Sequence, residues 1–233
     1  MSEIAAFHNT TAITSPDQLT AALAQNRTRQ PQATRGGKAI LKLEQNDGFW
    51  HFGQDNEEVE DGTVWAINPY SLQAGWVAWG RRNNRSYKAG EVMDSFANPP
   101  ACPTEDLSAD GGATWAEQVA FELICVAGSQ VGQEVVYNSS SKGGKKGYDD
   151  VYDALQSRPN SDYCFPVIVL EQDSYNTSLH NKRVFNPIFR VIDWANGDQE
   201  LLSGKDLEGV VAAGADVTPA PAAKVQRRRR QAN

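Results

Sequence analysis

Residues 64–90 read VWAINPYSLQAGWVAWGRRNNRSYKAG. The stretch holds three of the chain's six tryptophans, Trp65, Trp76 and Trp79, together with Tyr70 and Tyr87. Positive charge bursts in at Arg81, Arg82, Arg85 and Lys88. A strand is expected over 63–68, stopped by Asn68-Pro69, and a second over 75–80. Trp76 and Trp79 lie three apart and so point to opposite faces of a strand. One of them belongs to the core and the other can serve as a stacking platform; the alternative is that both are buried or packed on a neighbouring loop. Flat rings beside guanidinium and ammonium groups suit a surface that meets flat, negatively charged polymers.

Outward from that stretch, the N-terminal side is thinly patterned. Ser15-Pro16-Asp17-Gln18 has the form of a capping box and predicts a short helix over 16–26 in an otherwise flexible segment, 1–37. Strands are expected over 39–44 and, short and aromatic, over 48–53. Residues 54–62 are acidic, but their spacing matches no calcium loop, and a solvated turn is the simpler reading. On the C-terminal side the region 81–112 reads as a long loop, rich from 94 onward in Pro, Asp and Gly. Val119, Phe121, Leu123 and Cys125 alternate and predict a strand over 115–127, returned by 134–140 to make a hairpin. Tyr148, Val151, Tyr152 and Leu155 then fall on one helical face, giving a helix over 145–157. Apolar strands follow over 163–172 and 184–194, the second carrying Pro187, which suits an edge or a bulge. Residues 204–233 have no core-forming pattern and read as a disordered tail ending in a basic run.

The formal charge is −7 over 233 residues. Lys224 and Arg227 to Arg230 set aside, the rest of the chain carries −12. So acidic a body does not draw in nucleic acid by its average field, and any such binding has to use a local basic groove. Cys102, Cys125 and Cys164 are far apart, without a CxxC pair, so zinc is not expected, and Cys125 and Cys164 read as small buried residues. His8, His51 and His180 sit in no metal or catalytic motif, and no GxSxG is present. No catalytic residue, metal or cofactor is therefore expected. Lys142-Gly-Gly-Lys-Lys-Gly147 lacks phosphate-loop spacing; it is either a helix N-terminus able to hold a phosphate or a plain glycine-rich turn. No run approaches the roughly 18 apolar residues of a membrane span, and no apolar leader lies in 1–30, so no membrane partner is expected.

The order strand, strand, strand, helix, strand, strand over 75–194 is that of an OB-fold, a five-stranded barrel with its helix between the third and fourth strands. The expected fold is thus mainly β with one central helix, an OB-like domain over 38–203 with an N-terminal strand extension; the alternative is a β-rich α+β domain. Such a barrel binds oligonucleotides between its first and last connecting loops. Here these are 81–112, with Arg81, Arg82, Arg85, Tyr87 and Lys88, and 173–183, with Tyr175, Lys182 and Arg183. Lys142, Lys145 and Lys146 at the helix opening form a third basic cluster.

Three runs carry a resemblance: FWHFGQDNEEVEDGTVWAINPYSLQAGWVAWG from Phe49, WAEQVAFELICVAGSQVGQEVVYNSSSKGGKKG from Trp115, and FNPIFRVIDW from Phe185. Over roughly 48–194 the chain resembles single-stranded DNA-binding proteins of tailed bacteriophages, of the OB-fold type. The resemblance implies sequence-independent binding of single-stranded DNA in phage replication or recombination, in the cytoplasm of the infected host. Trp76 or Trp79, Tyr87 and Tyr175 would stack on bases, and the Arg and Lys clusters would hold phosphates. It also implies replication or recombination proteins as partners through the tail. Self-association is left open. In one respect the chain departs from the family, whose members end in an acidic tail where this one ends in Arg227 to Arg230. The competing reading is a non-enzymatic structural or protein-interaction β-domain with a basic docking tail.

Overall fold

The computed structural model describes residues 38–176 and 183–207. The helix expected over 16–26, together with His8, His180, Lys182 and the basic run at Arg227 to Arg230, lies outside the described residues. Among the described residues nine strands and one helix follow as β1 (Ala39–Leu43), β2 (Trp50–Phe52), β3 (Glu57–Glu58), β4 (Val64–Arg82), β5 (Arg85–Ser95), β6 (Trp115–Ala127), β7 (Glu134–Ser139), α1 (Lys142–Gln156), β8 (Phe165–Asn176) and β9 (Arg183–Ala195). They form one sheet in the order β3-β2-β1-β7-β6-β4-β8-β9, with β5 attached to β4. All pairs are antiparallel except β1 with β7.

β4 is the spine. The two strands expected over 63–68 and 75–80 are one strand of 19 residues, which runs straight through Asn68-Pro69. Proline has no N–H to give a ladder and belongs at a bulge. Here the ladder with β6 breaks between Asn68 and Gln73, so that Pro69 to Leu72 stand against the single residue Phe121. Side chains fill the gap. Asn68 Oδ1 accepts from the Tyr70 amide (3.1 Å), Ser71 Oγ donates to the Asn68 carbonyl (2.6 Å), and the Glu122 amide donates to Ser71 Oγ (2.8 Å). The backbone polar groups that proline and the bulge leave over are thereby satisfied.

Beyond the bulge β4 changes neighbours. Trp65 and Ala66 pair with β8, whereas Gln73 to Arg82 pair with β5. β5 lies inside the region expected to be loop. Its hairpin with β4 turns through Asn83 and Asn84, both with positive φ (51° and 60°), as a two-residue turn of the twist-matched kind requires.

The core has two sides. On one, Trp65, Ile67, Phe121, Leu123, Tyr137 and Phe189 pack with Tyr148, Val151 and Leu155 of α1. On the other, Val64, Ala66, Ile124, Val126 and Val167 pack with Leu207. The middle of the sheet is therefore buried on both faces, which is why β4 and β6 show apolar runs as well as alternation. The helix lies close to the sheet because Gly144 and Gly147 face it; a Cβ on Gly144 would overlap Ser139 Oγ and lie 2.6 Å from the Tyr137 hydroxyl. Ser141 caps α1, its Oγ accepting from the Gly144 amide at 3.0 Å. Ser141→Ala is expected to lower the unfolding free energy by about 1 kcal/mol, read from urea denaturation; unchanged stability would show that the cap contributes nothing.

The closed five-stranded barrel is not what the chain forms. Taken alone, β7, β6, β4, β8 and β9 would close only if β9 bonded to β7. Instead β1 occupies that edge of β7, pairing Ala39, Ile40 and Leu41 with Val135, Val136 and Tyr137. β9 meets the β1 side at one backbone bond, from the Phe185 amide to the Gln45 carbonyl (3.0 Å), and forms no ladder there. Mainly β, with a single helix among the described residues, describes the fold; OB-fold does not.

Candidate interaction surface

The β4–β5 hairpin continues past the last β6 pair, Ala78 with Trp115. Its far end carries Trp79 opposite Lys88, Arg81 opposite Ser86, and Arg82 opposite Arg85. Trp79 is 48% exposed, a large value for a tryptophan in a sheet. Trp76 is only partly buried, its Nε1 donating to the Pro100 carbonyl (3.0 Å), and so is not the core residue expected of one of the two rings. The Arg82 guanidinium lies over the Tyr87 ring, 5.6 Å from its centroid. On its other side this part of β4 is tied down by the Arg81 amide donating to the Gly111 carbonyl (3.2 Å). Below it Ala78, Leu107 and Ala113 form a small apolar cluster with Ala89 and Trp115. The tip is thus a braced arm with cations at its end.

Among the described residues most of the other expected cations have partners in the chain. Lys145 Nζ meets Glu117 (2.5 Å), Lys146 meets Asp150 (2.7 Å) and Lys88 meets Glu91 (2.9 Å). Arg183 donates to Ser174 Oγ and lies 4.8 Å over the Phe185 ring. Lys142 is exposed and has no ion pair among the described residues, as is true of Arg81, Arg82 and Arg85. Tyr175, 52% exposed, stands on β8 opposite Val184 of β9. The helix opening and the start of β9 are neighbours, since a Cβ on Gly143 would press against the Asn186 side chain. Between them and β1 opens a polar cleft of about 350 Å3, lined by Lys42, Glu44, Asn138, Ser139, Ser141 and Phe185. Its charged residues are of opposite sign, so it has no marked preference for an anion.

The buried cysteines fit no nucleophilic role. Burial pushes the Cys125 thiol up to about 11 and raises Cys164 as well, which keeps both protonated near neutral pH. Burial likewise pushes the Tyr137 phenol up to about 12, against a hydrogen bond with Ser139. Among the described residues no three His, Cys, Asp or Glu side chains gather as a metal site would need, and no helix is long and apolar enough to cross a membrane.

Compared with protein-family models, with curated proteins and with solved structures, the chain matches none. The resemblance to phage single-stranded DNA-binding proteins, and the function it implied, therefore do not hold. The strand-binding mechanism needed a closed OB barrel with three basic clusters opening onto one groove. The sheet is open, and most of the lysines of those clusters neutralise carboxylates of the same chain.

Proposed function

We propose that the chain is a non-enzymatic protein-interaction module that presents the β4–β5 arm to an acidic protein surface. The observation that carries this is the arm's tip: Arg81, Arg82 and Arg85 crowd one turn without a carboxylate partner among the described residues, beside a half-exposed Trp79. Elsewhere on this acidic chain Lys38, Lys88, Lys145, Lys146 and Arg190 each hold a carboxylate of the same chain. Arginine and tryptophan are the side chains that dominate protein interfaces, since each combines a large apolar face with donors at its rim. The tip is one compact patch about a hairpin wide, a footprint suited to a local acidic depression on a partner. The brace at Gly111 holds it in place before contact, which lowers the entropy lost on binding.

The test is binding to an array of Glu- and Asp-rich peptides containing an aromatic residue, followed by intrinsic tryptophan fluorescence. Binding should fall with salt and weaken at least about tenfold in Arg81→Glu/Arg85→Glu, and separately in Trp79→Ala. Equal binding by the variants, or binding to an oligonucleotide in place of the peptides, would overturn the reading.

A further inference from the structure

We infer that the outer edge of β5 is a self-pairing surface, on which a second copy of this chain adds its own β5 antiparallel about a two-fold axis at Gly90. The inference does not use the acidic-partner reading: it rests on the outer edge of β5, whereas Trp79, Arg81 and Arg82 stand on β4.

β5 pairs on one side only, with β4. Among the described residues no backbone hydrogen bond joins the other side of 85–94 to any segment, and only at the strand's end does the Ser95 carbonyl accept from the Asn98 amide (2.8 Å). The remaining ends of the sheet are different: β3 has two residues, and β9 runs beside α1 and Gln45. An 11-residue strand with one bare edge is a template for another strand.

The order of residues along that edge specifies which strand. In the ladder with β4, Ala78 pairs with Gly90 and Trp79 with Lys88, so Ala89 is an extra, bulged residue. In a regular strand, residues three apart face opposite ways. The bulge brings Lys88 and Glu91 to the same face, where Lys88 Nζ lies 2.9 Å from Glu91 Oε2. On the other face stand Tyr87, opposite Gly80, and Val92, opposite Trp76. Skipping Ala89, the ladder positions 87, 88, 90, 91 and 92 are symmetric about Gly90. Turned by the two-fold, Lys88 faces Glu91 of the second copy, Tyr87 faces its Val92, and Gly90 faces Gly90. Each cation then meets an acid, and each aromatic ring meets a β-branched side chain, the pairings that stabilise neighbouring strands. The contact is isologous and closes on itself, so it yields a dimer and no fibre. It also covers Val92, which is 41% exposed in the single chain. A bulge and an edge lysine are the means by which sheets commonly repel other strands. Here Glu91 supplies the lysine's partner, so strands of other sequence are repelled while a copy of this one is accepted.

The experiment is sedimentation velocity on the full chain across a micromolar range, with Lys88→Glu, Glu91→Lys and their equimolar mixture. Wild type should dimerise. Each single variant sets like charges opposite each other twice, and should dimerise about tenfold or more weakly. In the mixture the two altered strands are complementary again, so a heterodimer should form. An ion pair needed only inside one chain would not be restored by mixing. A monomeric wild type, single variants that dimerise as wild type does, or a mixture that stays monomeric would each overturn the inference. Should either variant fail to fold, amide exchange of wild type decides: the amides of residues 86–93 should slow as concentration rises, and exchange independent of concentration would overturn it.

Discussion

Phe121→Ala is expected to lower the unfolding free energy by about 3–5 kcal/mol, the usual loss for a fully buried phenylalanine. Phe121 has no solvent exposure, and its ring lies 5.0 Å from Phe189, 5.2 Å from Tyr137 and 6.1 Å from Tyr148. It therefore joins β6, β7, β9 and α1 at one point. It is also the residue that the Pro69–Leu72 bulge is arranged around. Truncation would leave a cavity that three aromatic rings cannot fill without leaving their own contacts. Domains of this size are stable by only about 5–15 kcal/mol, so a large part of the margin would go. Urea denaturation measures it; a loss under 1 kcal/mol would show that the aromatic cluster is not the centre of the core.

The second large effect belongs to Gly75. A Cβ there would overlap the Val92 carbonyl and lie 2.8 Å from Met93 Cα, both backbone atoms that cannot rotate away. Gly75→Ala must therefore move β5 off β4, and overpacking of this kind costs about 1–3 kcal/mol or more. The effect is local in a way that Phe121→Ala is not. Amide exchange should accelerate across 85–95 and stay slow in 119–126, which has partners on both sides. If β5 kept its protection, the close approach at Gly75 would not be what seats the arm.

The elements written by periodicity were legible in the sequence. The alternation of Val119, Phe121, Leu123 and Cys125 marks β6, and Tyr148, Val151 and Leu155 mark α1. Two features take their meaning from the rest of the fold. Pro69 reads locally as a stop, and only the Ser71 and Asn68 side chains standing in for lost ladder bonds let β4 continue. β5, RSYKAGEVMDS, has neither an apolar run nor strict alternation, since one face is open and the bulge at Ala89 breaks the period. Without β5, half of a hairpin reads as a loop. The strand order of the remainder then matched a barrel, and nothing in the sequence shows that β1 would take β7's free edge. For the candidate surface, the Trp79 and arginine cluster was visible as composition. The pairing of Lys145 with Glu117, 28 positions away, was not, and that pairing separates the cations with partners in the chain from those at the tip.

The bulge that carries β4 past Pro69 also decides how force would travel. Because β4 is one unbroken strand from Val64 at the core to Arg82 at the tip, a pull on the tip runs along its length. The ladders with β6 and β8 beside it are then loaded in shear, many hydrogen bonds at once, and do not unzip one at a time. A pull across the hairpin instead opens β5 from its turn at Asn83 and Asn84, bond by bond. The arm is stiff along its axis and soft across it, so a partner held at the tip is anchored in the centre of the sheet.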